Sequence, residues 1–216
     1  MRKLKNEELN RPSLEEYKNQ EKNDVILVLD NIRSLNNVGS AFRTSDAFKV
    51  KKIYLCGITG TPPHRDIQKT ALGATDSVEW EHSERTMTTI DMLKKEGWKI
   101  VSIEQVEGSV PLDEYKPAQG EKYCFVFGNE VFGVDQDVVS ASDFCLEIPQ
   151  YGTKHSLNIS VSIGVVLWHY LVFKTYTERA TKPIFALQIT YTFLNRIHDG
   201  IHNRKRYNGR GKSPCR

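Results

Sequence analysis

Two rhythms of apolar and polar positions alternate along the chain. Short runs are apolar at nearly every position: "DVILVLD" (24–30), "KKIYLCGI" (51–58), "WKIVSIE" (98–104), "KYCFVFG" (122–128) and "DFCLEIP" (143–149). Such runs predict strands buried on both faces. Between them lie stretches of helical period: "NVGSAFRTSDAFKV" (37–50), opened by an asparagine cap, "PHRDIQKTAL" (63–72), and "RTMTTIDMLKKEG" (85–97), closed by Gly97. "DSVEWE" (76–81) reads as one more short strand, and "LNISVSIGVVLWHYLVF" (157–173) as a long apolar helix. Alternation of this kind predicts an α/β fold, with a mostly parallel sheet covered by helices on both faces. Ligands of such sheets gather at the carboxyl ends of the strands. Here those ends carry Asp30-Asn31, Gly57, Glu104, Gly128-Asn129-Glu130, and the residues from Pro149 onward.

The same pattern divides the chain into a helical N-terminal extension (1–23), a folded domain (24–174) and a basic tail (175–216). No apolar run approaches the ~20 residues of a membrane span, and the charged N-terminus has no signal-peptide core, so the expected location is the cytoplasm. The net charge of +3 hides an asymmetry. Residues 177–216 carry nine Lys/Arg and two acids, a surplus of seven, which leaves −4 on the rest. A basic tail on a mildly acidic body suggests a polyanionic partner. Four cysteines and six histidines show no metal-ligand spacing, and Cys56, Cys124 and Cys145 sit in strand-like runs as buried thiols.

Several familiar sites are excluded, because the chain has no GxGxxG and no GxSxG. Gly211-Lys212-Ser213 imitates the end of a P-loop, but Arg206 stands where the earlier glycine belongs. Three segments remain. In "NIRSLNNVGSAFR", Asn37 caps a helix, Gly39 permits close backbone approach, and Arg43 lies one turn further on the same face. "FVFGNEVFG" ends the most apolar strand on Gly128, followed by Asn129 and Glu130. In "IPQYGTKHSLNIS", a polar loop longer than the ~2–6 residues of an ordinary strand–helix connection joins two apolar elements, with Ser156 as the candidate helix cap.

Together, in this order and spacing, the three segments resemble the motifs of the SpoU (TrmH-like) branch of the SPOUT-class RNA methyltransferases. The first motif is met by Asn31, Arg33, Asn37, Gly39 and Arg43. The second is met by Gly128, Glu130 and Gly133, and the third by Ile148, Pro149, Ser156, Leu157 and Asn158. The resemblance covers residues 24 to about 174. It departs at Ser34-Leu35, where the family often has Asp and Pro, and at Ile159, where valine is more usual.

The resemblance implies a deep trefoil knot near the end of the domain, forming a pocket for S-adenosylmethionine. It implies cofactor contacts from Glu104, Gly128, Ile148 and Leu157, no metal, and a homodimer packed through the knotted region. The implied reaction is methyl transfer to a ribose 2′-hydroxyl of structured RNA, with tRNA favoured over rRNA. Arg43 would sit beside that hydroxyl, with Asn37, Glu130, Ser156 and Asn158 around it. A guanidinium is a poor proton acceptor, so the role expected of Arg43 is to bind a phosphate or the developing alkoxide. Glu130 is expected to orient Arg43 or Asn37. One alternative is a silent RNA-binding protein of the same fold, which would have lost Arg43 or the Ser-Leu-Asn triplet. The other is base-directed transfer, against which the Asn…Arg first motif speaks.

Overall fold

The computed structural model describes residues 1–181, with side chains to residue 175. The chain divides into two units, Met1–Leu171 and Val172–Arg216, and the sheet lies in the first. Residues 175–181 of the expected tail continue the last helix, and residues 182–216 fall outside the described residues.

Seven strands form one sheet: β1 (Asn23–Asp30), β2 (Val50–Cys56), β3 (Trp80–Ser83), β4 (Lys99–Ile103), β5 (Val110–Pro111), β6 (Tyr123–Phe127) and β7 (Phe144–Glu147). Their order is β3-β2-β1-β6-β4-β7-β5, and every pairing is parallel. The apolar runs form strands because both faces of the sheet are covered. Val25, Leu27, Leu29, Phe125 and Phe127 point to one apolar cluster, while Ile26, Val28, Cys124 and Val126 point to the other. A strand with no water-facing side has no polar alternation to show.

The helices are α1 (Leu14–Asn19), α2 (Leu35–Ala47), α3 (Arg65–Ala71), α4 (Ala74–Ser77), α5 (Thr86–Lys95), α6 (Gln136–Ala141) and α7 (Ile159–Thr181). On one face α2 contributes Val38, Ala41 and Phe42, α3 contributes Ile67, and α7 contributes Ile163, Val166, Leu167 and Tyr170. On the other face α5 supplies Ile90 and Leu93, and α6 supplies Val138. Gly39 lets α2 and α3 touch, since a Cβ there would stand 2.2 Å from the Ile67 carbonyl oxygen. Among the described residues no helix is long and apolar enough to cross a membrane.

Four local expectations are corrected. The first helix starts at Leu35, and its cap is Ser34, whose Oγ accepts from the Asn37 N–H at 3.3 Å. The last helix starts at Ile159, and Asn158 replaces Ser156 as its cap, its Oδ1 accepting from the Ser160 N–H at 2.9 Å. "DSVEWE" is split between the end of α4 and the start of β3. The two-residue edge strand β5 is too short to leave a pattern, and its Pro111 fits only an edge.

Candidate functional site

Winding reverses between β1 and β6: β1 leads outward to β2 and β3, while β4 and everything after it lie on the β6 side. Such a switch point opens a crevice beyond the strands' carboxyl ends. A cavity of about 510 Å³ lies at this end, lined by residues after β4, β6 and β7 and by the first residues of α7. Glu104, Gly128, Ile148 and Leu157, the expected cofactor residues, all line it, as do Glu130, Ser156 and Asn158.

Asn37 joins these residues through hydrogen bonds. Its Nδ2 donates to Glu130 Oε1 at 3.0 Å, and its Oδ1 accepts from Asn158 Nδ2 at 3.2 Å. One side chain from each of the three motifs thus meets the others in a single chain of bonds. Glu130 also accepts from the Arg33 and Ser34 N–H groups, each at 3.0 Å. These donors include the free N–H groups that precede a helix, where a carboxylate is favoured. Burial pushes the Glu130 carboxyl up, but the bonds from Arg33, Asn37 and Ser34 outweigh it and hold the group below the usual carboxylate range.

Arg43 stands apart. It is exposed on α2 and does not line the cavity, about 9 Å of helix rise beyond Asn37. The partner expected for Glu130 is therefore Asn37 together with the α2 N-terminus, because six residues of helix carry Arg43 out of reach.

The turn after β6 is tightly built. Asn129 and Gly133 exchange backbone bonds of 2.9 Å in both directions. Asn129 Oδ1 accepts from the Val131 and Phe132 N–H groups at 2.9 and 3.2 Å, and its Nδ2 donates to the Asn31 carbonyl at 2.7 Å. Glu104 closes the turn from β4: its Oε2 accepts from the Val134 N–H at 2.9 Å. Neither glycine has room for a side chain. A Cβ at Gly128 would lie 2.1 Å from the Gly133 carbonyl carbon, and one at Gly133 would lie 2.2 Å from Glu104 Oε2. Asn129 was visible in the sequence only as the middle of Gly-Asn-Glu. Its several backbone bonds give it a larger structural share than its neighbours.

Below the turn, Asp30 is buried and accepts from Thr86 Oγ1 at 2.5 Å, Asn31 Nδ2 at 2.9 Å and the Asp135 N–H at 3.1 Å. This ties the end of β1 to α5 and to the start of α6. Thr86 carries no such signal in the chain's pattern, where it reads as an ordinary first-turn residue.

Other peptide groups at the cavity are less bonded. Among the described residues, the peptide groups of Gly128, Ile148 and Leu157 make no hydrogen bond. Free peptide groups beside apolar side chains such as Ile103, Leu146 and Ile148 suit a ligand with a flat heteroaromatic part and polar edges. The thiols are poor candidates for chemistry. Cys56, Cys124 and Cys145 are buried, and burial pushes the Cys56 thiol up to about 11.

Residues 24–168 match the model of the SpoU rRNA Methylase family. The chain is 30% identical over 155 residues to a protein of Borreliella burgdorferi named as an uncharacterized tRNA/rRNA methyltransferase, a match covering 72% of this chain and 66% of that one. It is also 30% identical over 162 residues to the tRNA (guanosine(18)-2′-O)-methyltransferase of Aquifex aeolicus, covering 72% of each. The crystal structure of the A. aeolicus TrmH/SpoU tRNA modifying enzyme superposes with a TM-score of 0.68 at 26% identity, over 79% of this chain and 85% of that one. An AdoMet-bound rRNA methyltransferase from Sinorhizobium meliloti superposes at 0.64 with 22% identity, over 71% and 58%, and shares the fold.

Proposed function

The chain belongs to the SpoU rRNA Methylase family, and from that premise we propose that it transfers a methyl group from S-adenosylmethionine to a ribose 2′-hydroxyl of tRNA. One observation carries this reading: the three motif loops meet at one cavity through the bonded chain Glu130–Asn37–Asn158. S-adenosylmethionine supplies a methyl group already activated on a sulfonium. The cavity's volume, its apolar strand ends and its unpaired peptide groups fit that molecule.

In this reading Gly128, Ile148 and Leu157 hold the adenosine through their peptide groups, and Glu104 braces the turn beside it. Residues 148–158, with α7, form the family's deep trefoil knot. Ser156 and Asn158 face the reacting end, and Glu130 with Asn37 holds the first turn of α2 in register with them. The relative at 72% mutual coverage acts on tRNA, which favours tRNA over rRNA as the substrate. The surplus positive charge of residues 177–216 serves the RNA backbone, and the cytoplasm is the place of action.

The protein acts as a homodimer. While Ile163, Val166, Leu167 and Tyr170 bury one face of α7, Val161, Val165 and Trp168 stand 51%, 37% and 64% exposed on the other. That stripe is the dimer face. The Asn37–Asn158 bond sets the first turns of α2 and α7 side by side, so a dimer built on α7 also brings in α2. Arg43 of one copy then serves the acceptor at the other copy's cavity.

Two experiments test this. Methyl transfer with labelled S-adenosylmethionine is followed by mass mapping of the tRNA and rRNA products. A ribose-methylated tRNA nucleotide is expected, label only in rRNA overturns the substrate, and a methylated base overturns the ribose assignment. Arg43→Ala and Asn158→Ala should each be inactive alone. Mixed as unfolded chains and refolded together, they should regain part of the activity, because one site of each mixed dimer is then complete. No recovery would place Arg43 at its own copy's cavity.

A further inference from the structure

A second groove, of about 470 Å³, shares Asn129, Phe132 and Gly133 with the wall of the first cavity. Ile58 and Arg33 form other parts of its lining. Phe132 is 85% exposed and Ile58 70% exposed, so two large apolar side chains stand in water beside the site.

Their backbones are nonetheless held in place. The Phe132 N–H is bound by Asn129 Oδ1 at 3.2 Å, and the Ile58 N–H by Asn31 Oδ1, also at 3.2 Å. The two asparagines are themselves joined, Asn129 Nδ2 to the Asn31 carbonyl at 2.7 Å. Asn31 adopts the left-handed conformation, φ 55°, to make this arrangement. A fold that fixes the backbone under an aromatic ring while leaving the ring exposed has already met the ordering cost of a stacking contact. Core packing does not account for this placement, because neither the ring nor the sec-butyl group is covered.

The charges in the groove say which part of a ligand goes where. Asp30 and Asp135 lie within it, and Asp135 is further committed as the cap of α6, accepting from the Asp137 N–H at 3.0 Å. Carboxylates disfavour a phosphate inside. Arg33 is exposed, with its backbone N–H pinned on Glu130, and offers a phosphate contact at the edge. An aromatic face and an aliphatic side chain over a polar, acidic floor suit a nucleobase with N–H donors. Unpaired bases stack on such aromatic side chains.

We propose that this groove receives the base of the acceptor nucleotide, unstacked from the RNA, with Phe132 as its stacking face and Arg33 on the adjoining phosphate. The inference rests on the RNA methyl-transfer reading and assigns the substrate side of that site. The shared turn then separates methyl donor from acceptor base.

The test compares the full-length protein with F132A and F132W in methyl transfer to RNA, S-adenosylmethionine binding and sedimentation. F132A should raise the KM for RNA about tenfold or more, the loss expected of one base–aromatic stack. Its S-adenosylmethionine affinity should stay within about twofold and its assembly state should not change. F132W should keep the wild-type KM, and the indole it introduces should be quenched on adding RNA. A wild-type KM in F132A overturns the inference and leaves the methyl-transfer reading standing. A shift of F132A toward monomer also overturns it, because the ring would then belong to a copy–copy contact. If the wild-type protein transfers no methyl to RNA, the underlying reading fails and the inference with it.

Discussion

The turn Asn129–Gly133 and the loop from Gln150 to Asn158 line the same cavity, yet their polar groups are treated differently. In the turn, the Asn129 side chain, the Asn129–Gly133 bridge and Glu104 take up the N–H groups one after another. Between residues 150 and 157 of the loop, one side-chain bond is made among the described residues, from Gln105 Nε2 to the His155 carbonyl at 3.3 Å. Only at Asn158 does the loop rejoin the motif network. A backbone whose polar groups are bonded within the protein holds one position whether or not a ligand is present. A backbone that leaves them to water can exchange that water for a ligand. The first wall is therefore held by its own bonds, and the second keeps polar groups open to an outside partner.

The sharpest way to break this comparison uses Gly128, which packs against the turn, and Gly152 of the loop. Gly128→Ala places a methyl against the Gly133 and Val134 backbone, which has no flexible end to give way. It should cost about 1–3 kcal/mol in urea unfolding and lower methyl transfer by about a hundredfold. Gly152→Ala meets nothing within 4 Å among the described residues, and its effect on stability should stay within about 0.5 kcal/mol. Equal losses in both variants would mean that the loop is as constrained as the turn.

A smaller effect is expected of Glu130→Ala, which removes the acceptor for Arg33, Ser34 and Asn37. The site is partly exposed and its donors can turn to water, so about 1 kcal/mol should be lost. The pH dependence has a definite sign. The folded carboxyl is held below its ordinary range, so its stabilisation is complete above the unfolded value of about 4.3. It is lost as pH falls through the lower folded value. The stability gap between wild type and Glu130→Ala should therefore be flat from about pH 5 to 8 and narrow below about pH 4. A gap that opens on acidification would contradict the bonding described.

The mildest test leaves the sequence intact. Adding S-adenosylmethionine should slow amide hydrogen exchange in residues 151–158 by at least a few-fold, and in residues 129–134 much less. Equal protection of both segments would remove the distinction between the bonded and the open wall.

Much of this was legible in the chain. β1 and β6 were readable because both sheet faces are covered, so their runs stay apolar at every position. β5 was not, because two residues, one of them Pro111, carry no period. The three motif loops could be recognised by residue type and spacing. Their caps could not, because Ser34, Asn37, Ser156 and Asn158 are all competent to cap a helix. Ser34 wins because Glu130 pins its own N–H from 96 positions away in the chain. Asn158 wins because its side chain also reaches Asn37, 121 positions away.

The sequence by itself thus determined the parallel sheet, its two apolar faces and the residue types at the strand ends, since each of these follows from local pattern and side-chain chemistry. Only the tertiary structure decided who meets whom there. It gave Glu130 to Asn37 and the α2 N-terminus rather than to Arg43, left Arg43 in solvent, and set Phe132 on a fixed backbone with its ring uncovered. The physical reason is that hydrogen-bond choice depends on distance and direction to within a fraction of an ångström. That precision arises only when β1, β6 and β7 lie in one sheet and bring their carboxyl ends to a common edge.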